Sequence, residues 1–290
     1  MKRRSFLRLP FLAVAGPAGA AAPPPVTPGF KLSVRVEPLF RGLSLPQQME
    51  KVAEARYHGF EFGNWRAADP AAITKLKSKL GIACACLVGN RGVNPKGMGL
   101  CDPRDREGFL TEIKASVEAA KRFETTRLVT LTGNEVPGMS REAQHRSIVE
   151  GLQAAQDIVA PHGITLIVEV LNTLVNHAGY YLNRTAEAFE IVREVASPQV
   201  KILFDIYHVQ IMEGNLIDTI RKNIAAIGHF HVGDVPGRHE PGTGEINYGN
   251  VFKAIHQLGF RDFAAMEYMP SKDPMTTLAE VRALWEAASS

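Results

Sequence analysis

Four short apolar runs in the second half of the chain each end on a carboxylate or an imidazole. TLIV runs into Glu169, KILF into Asp205, IGHF into His231 and FAAM into Glu267. A single acid at a strand end is ordinarily a helix cap or a solvated charge. Successive strands that deliver such groups at one level point to a shared polar site, as at the carboxyl face of a parallel barrel. Three carboxylates converging without a cation repel and raise one another's pKa values, which a bound divalent metal resolves. Glu169, Asp205, His231 and Glu267 make a three-oxygen, one-nitrogen set that suits one Mn2+ or Mg2+ and accepts Zn2+ or Co2+.

Other polar residues flank this set. His208 lies just past Asp205, where the chain turns out of the strand, and is placed to face substrate as a neutral donor or acid. His229 shares the strand face of His231 one layer deeper and reads as a buried, hydrogen-bonded group behind it. The segment GDVPGRHEPGTGEINYGN suits a substrate-covering loop carrying Arg238, His239 and Glu240. Arg238 would hold an anionic or hydroxylated end of the substrate, with Asp234 orienting it. The first two strands bring Arg35, Glu37, Glu61, Asn64 and Trp65.

Such a site needs parallel strands with their carboxyl ends on one side, and residues 31–290 supply them. KLSVRVEP, FEFGN, IACACLVG, RLVTLTGN, TLIVEVL, KILFDIYH, IGHFHVGD and FAAMEY read as strands, alternating with helical segments. Among the helices, SREAQHRSIVEGLQAAQDIVAPH has Ser140 as its cap. The pattern predicts a single-domain α/β (β/α)8 TIM barrel, with no shift in composition to mark a second domain. An open doubly wound sheet would need a Gly-rich phosphate loop after an early strand, and none is present.

Residues 1–22 stand apart. MKRRSFLRLPFLAVAGPAGAAAP has a basic start, a short apolar middle and a small-residue end, which reads as an export signal. Arg3 and Arg4 followed by Ser5, Phe6 and Leu7 resemble the address read by the twin-arginine export machinery, so a periplasmic location is expected. Pro10 and Pro17 break the apolar stretch, so no stable membrane span is expected after cleavage. A Pro-rich linker, residues 23–30, follows. The formal charge of +3 becomes about −1 once the leader's basic residues are removed, so a nucleic-acid partner is not suggested. Cys84, Cys86 and Cys101 read as core thiols, Cys84 and Cys86 on one strand face. A homo-oligomer is compatible with the sequence.

The runs FDIYHVQIMEGNL and GHFHVGDVPGRHEPGTGEINY, the closing EYMP and the VEVLN of residues 168–172 closely resemble hydroxypyruvate isomerases. Those enzymes fall within the xylose isomerase-like barrel superfamily of sugar isomerases and epimerases. The resemblance is specific over residues 165–270 and weaker over residues 31–160. It implies a divalent metal on Glu169, Asp205, His231 and Glu267, Glu169 and Glu267 as an acid/base pair, and His208 and Arg238 at the substrate. The reaction implied is interconversion of α-hydroxy aldehydes and ketones through an enediolate. Such isomerases often carry Gln at the position of His231 and Arg at that of Leu174; His231 is more like the metal-dependent sugar epimerases. An epimerase, a dehydratase of the same superfamily and a non-catalytic sugar-binding barrel are the alternative readings. A phosphodiester-cleaving relative would need further His and acid ligands at the ends of strands two to four.

Overall fold

The computed structural model describes residues 29–92 and 99–288. Eight parallel strands close into a barrel in sequence order. They are β1 (Lys31–Arg35), β2 (Gly59–Phe62), β3 (Ala83–Val88), β4 (Arg127–Thr130), β5 (Thr165–Glu169), β6 (Val200–Asp205), β7 (Ile227–Val232) and β8 (Phe263–Met266). Closure is made by β8 on β1, from Lys31 opposite Phe263 to Val34 opposite Met266. The expected (β/α)8 barrel is the fold. The leader and most of the Pro-rich linker lie outside the described residues.

The helices are α1 (Val36–Leu39), α2 (Leu45–Glu54), α3 (Pro70–Leu80), α4 (Arg106–Phe123), α5 (Arg141–Val159), α6 (Thr185–Val195), α7 (Ile206–Met212), α8 (Leu216–Asn223), α9 (Tyr248–Gln257) and α10 (Pro274–Ala288). Local chemistry sets their ends. Asp69 accepts the Ala71 N–H at 2.9 Å with Pro70 at the first helical position, and Gly81 closes α3 in the left-handed region at φ 67. Ser140 caps α5 by accepting the Ala143 N–H, as the sequence suggested. In α4, Phe109, Ile113, Val117 and Ala120 recur at helical spacing and are buried against the strands. No helix among the described residues is long and apolar enough to cross a membrane.

Two packing environments matter for the site. One large apolar cluster joins strands to helices, and a small one, Cys86, Val129, Ile167 and Leu203, comes from β3 to β6. Cys84 belongs to the large cluster and Cys86 to the small one. The pairing register of β2 on β3 shifts between Phe60 and Glu61, at this point in the sheet. All three cysteines are free and buried.

Candidate active site

Glu169 and Asp205 are the last residues of β5 and β6, His231 is next to last in β7, and Glu267 follows β8 directly. Parallel closure brings these ends to one side of the barrel. One ligand atom from each residue lies within 4.8 Å of the others. His231 Nδ1 is 2.7 Å from Glu267 Oε2, 3.4 Å from Glu169 Oε1 and 3.8 Å from Asp205 Oδ2. Neighbouring groups fix two of these strand ends. The Tyr180 hydroxyl donates to the Glu169 carbonyl at 3.1 Å and accepts the Thr132 N–H at 3.0 Å, while the Glu267 N–H donates to Val232 at 2.9 Å.

The electrostatics fit a cation. The carboxylates of Glu61, Glu169 and Asp205 are buried and that of Glu267 is half-buried, and the guanidinium groups nearby are those of Arg238, paired with Asp205 and Glu267, and Arg35. Arg238 Nη2 donates to Asp205 Oδ2 at 2.7 Å and Glu267 Oε2 at 2.8 Å. His231 Nδ1 is buried at the centre of the acids, nearest to Glu267 Oε2. Burial opposes charge on His231, but Glu267 and its fellow acids push the imidazole well above its ordinary value. Cys86 lies against His231, and burial followed by the nearby Glu61 charge pushes its thiol well above the usual range.

The two glutamates are not equivalent. Burial, then the charges of Glu267 and Asp205, raise Glu169 above the usual carboxylate range in spite of His231. Burial works in the same sense on Glu267, but His231 and Arg238 outweigh it and bring it down to about 2. Asp205 is held far below the ordinary range by His208, Arg238 and His231 against its own burial.

A cavity of about 490 Å3 reaches the cluster at Glu267, with Arg35, Arg41, Asn176, Tyr207 and Arg238 also in its wall. The Arg238 guanidinium lies 4.8 Å from the centre of the Tyr207 ring. Arg35 pairs with Glu37 at 3.1 Å. Trp65 donates to the Val88 carbonyl at 2.8 Å. Leu174 is 71% exposed, beside Val175 of the cavity wall.

Several sequence expectations change here. Strand β6 stops at Asp205, where extended chain had been expected on to His208, because Asp205 caps α7 by accepting the His208 N–H at 3.2 Å. The helical turn puts Tyr207 in the cavity wall and buries His208. His208 Nδ1 accepts the Asn172 N–H at 3.1 Å, leaving Nε2 3.6 Å from Asp205 Oδ2. Burial brings this imidazole down to about 4, so it is neutral at pH 7. His239 and Glu240, expected at the substrate, face the segment after β8. Arg238 sits at φ 55, where the chain reverses, and His239 Nδ1 lies 2.7 Å from the Met269 carbonyl. Both Glu240 oxygens are taken by Ser271, from its N–H at 2.9 Å and from its hydroxyl. Asp234 does not touch the Arg238 guanidinium. Its carboxylate accepts the N–H groups of Val235, Gly242, Gly244 and Ile246, and only its carbonyl meets Arg238, through the backbone N–H.

A family model described as the xylose isomerase-like TIM barrel matches residues 49–287. The chain belongs to that family. Among its relatives, hydroxypyruvate isomerase of Escherichia coli is 30% identical over 246 residues, covering 83% of this chain and 93% of that protein. The 2-oxo-tetronate isomerase of Cupriavidus necator is 31% identical over 182 residues, 63% of this chain and 69% of that protein. The crystal structure of AP endonuclease, family 2 from Brucella melitensis superposes with a TM-score of 0.81 at 29% identity, covering 89% of this chain and 99% of that one.

Within this xylose isomerase-like barrel, sequence reasoning gave Glu61 no role. It is fully buried behind His231, with its Oε2 3.2 Å from His231 Nε2. The signal was there, since an acid inside the apolar run GFEF of a barrel strand calls for buried partners. Tyr207, Asn176 and Arg41 were not singled out at all, because loop geometry decides which of them reach the cavity.

Proposed function

We propose that the protein is a divalent-metal-dependent isomerase that interconverts small α-hydroxy aldehydes and ketones by proton transfer between two glutamates. The observation that carries this reading is the convergence of Glu169, Asp205, His231 and Glu267. The same four would hold the cation, and their oxygen-rich donor set suits Mn2+ or Mg2+. The cation, when bound, supplies Lewis acidity that lowers the pKa of the substrate carbon next to the carbonyl.

The chain's own groups do the rest. Glu169 and Glu267 come from strands well separated around the barrel, so they approach a bound substrate from different sides. Their surroundings push them apart, with burial and the neighbouring acids raising Glu169 while His231 and Arg238 lower Glu267. That division suits one group removing a proton from carbon while the other delivers one at the neighbouring carbon. Arg238 is tied to Glu267 and to Asp205, which leaves it able to donate to substrate oxygens at the same place.

Arg35 and Arg41 in the cavity wall supply guanidinium groups that position 174 lacks, so a carboxylate-bearing substrate such as hydroxypyruvate has a partner for its acid end. A retained imidazole at position 231 keeps sugar epimerisation as the second reading, because both reactions begin with the same proton abstraction. The leader is read as a twin-arginine signal that delivers the folded barrel to the periplasm.

The test is solvent exchange. Protein loaded with Mn2+ is incubated in deuterated water with hydroxypyruvate, tartronate semialdehyde and a set of ketoses. Deuterium incorporation next to a carbonyl, with isomer formation and loss of both on chelation, is expected. Exchange with none of them, or undiminished exchange in chelator, would refute the reading.

A further inference from the structure

Behind the four ligand residues lies a second set of buried polar side chains that the proposed proton transfer does not use. Glu61 on β2 and His229 on β7 are fully buried, as is Ser33 on β1. Glu61 Oε1 lies 2.7 Å from His229 Nε2 and accepts the Ser33 hydroxyl at 3.1 Å. Its other oxygen, Oε2, lies 3.2 Å from His231 Nε2. A buried carboxylate is costly to desolvate, and an apolar residue of similar volume often serves the fold as well or better. Nearby strands meet that need with Val129, Ile167 and Leu203. The polar set is confined to the side that touches His231, so its purpose is to be sought there.

A neutral imidazole carries its proton on one nitrogen and offers a lone pair on the other. His231 turns Nδ1 to the acids of the cluster and Nε2 to Glu61. When a cation takes the Nδ1 lone pair among the acids, the one proton of the neutral ring must sit on Nε2, where the Glu61 carboxylate is placed to accept it. We propose that Glu61 is a positioning residue that holds His231 with its proton on Nε2 and its Nδ1 lone pair presented to the divalent cation, while Ser33 and His229 hold Glu61. The inference rests on the metal reading above. The competing arrangement, a second cation on Glu61, His229 and His231, would require His231 to give up both nitrogens as ligands.

Two measurements test it on the full-length chain. In the first, protein labelled with 15N-histidine is loaded with diamagnetic Zn2+, and long-range proton–nitrogen correlations assign the His231 tautomer. A protonated Nε2 and a bare Nδ1 are expected; a proton on Nδ1 would overturn the proposal whether or not any variant folds. In the second, Mn2+ is titrated calorimetrically into wild-type protein, Glu61→Gln and Glu61→Leu. Binding of one ion per chain is expected, weakened about 10–100-fold in Glu61→Leu and less in Glu61→Gln, which keeps one acceptor oxygen. Wild-type affinity in folded Glu61→Leu, or two ions per wild-type chain, would overturn it. Failure of wild-type protein to bind Mn2+ or Zn2+ would instead sink the metal reading, and this inference with it, and would show in the unmodified chain.

Discussion

Asp234→Asn should destabilise the protein and disable Arg238 without touching the ligand set. The Asp234 carboxylate is fully buried and accepts four backbone N–H groups: Val235 at 2.8 Å and Ile246 at 3.1 Å on Oδ1, Gly242 at 2.9 Å and Gly244 at 3.0 Å on Oδ2. This carboxylate therefore folds the loop that carries Arg238. Gly244 must be glycine for the chain to pass so close, because a Cβ there would strike the Val235 carbonyl. Asparagine is isosteric but keeps one acceptor oxygen, so two N–H groups would face an amide that cannot accept. Hydrogen bonds to a charged group contribute about 1.5–3 kcal/mol each. Gly242 and Gly244 are exposed enough to turn to water, so the lower end applies and the loss should be about 3 kcal/mol. For a domain of this size that lowers the thermal midpoint by roughly 6–12 °C. A loosened loop also misplaces the Arg238 guanidinium, and kcat/KM for the best substrate of the exchange panel should fall by about 10-fold or more. Differential scanning calorimetry and steady-state kinetics read the two effects. A variant with the wild-type midpoint and wild-type kcat/KM would refute the claim that Asp234 organises the loop.

Chelation should abolish activity and lower the thermal midpoint together, since a cation at 100 times its Kd stabilises the native state by about 2.7 kcal/mol; activity in a metal-free preparation would count against the site. Asp205→Ala should lose the metal yet remain folded, at a cost of about 1 kcal/mol for the α7 cap it removes, as measured by metal analysis and circular dichroism. His208, down to about 4 in the native protein and about 6.5 when unfolded, is protonated first in the unfolded chain as pH falls. Stability is therefore complete above pH 6.5, and on acidification toward pH 4 about 3 kcal/mol is lost; urea unfolding in chelator should show this dependence in wild type and much less of it in His208→Asn. Replacing Arg3 and Arg4 together by Lys should leave the full-length protein in the cytoplasm on fractionation, whereas normal export would mean that another route is used.

The barrel was legible because each strand is a short apolar run bounded by turn residues, and the ligand set because the runs end on Glu169, Asp205, His231 and Glu267. Closed parallel pairing then makes equal position along the strands into proximity. What could not be read depends on loop conformation. Asp205 caps a helix, and the resulting turn buries His208 and brings Tyr207 to the cavity wall, an outcome set by the hydrogen bond from the His208 N–H to the Asp205 carboxylate. The reversal at Arg238 turns His239 and Glu240 toward Met269 and Ser271, although their composition suggests a substrate loop. Glu61 was named beside the site but given no role, for a different reason. An acid in a strand has many uses, and only the register across the barrel shows that it meets His229 and His231.

The central claim, that Glu169 and Glu267 both hold the cation and move the proton, is tested most directly by Glu169→Gln and Glu267→Gln in deuterated water with Mn2+ present. Glutamine can still offer one neutral oxygen to a cation but cannot act as a base. Each change should lower turnover by about two orders of magnitude or more while Mn2+ and ligand binding weaken far less. One variant should stop exchange of the substrate proton and the other that of the product proton, as NMR integration of the two signals would read. Full turnover in either variant would contradict the two-base account. Unchanged exchange in both would contradict the isomerase reading and leave a sugar-binding barrel as the better description.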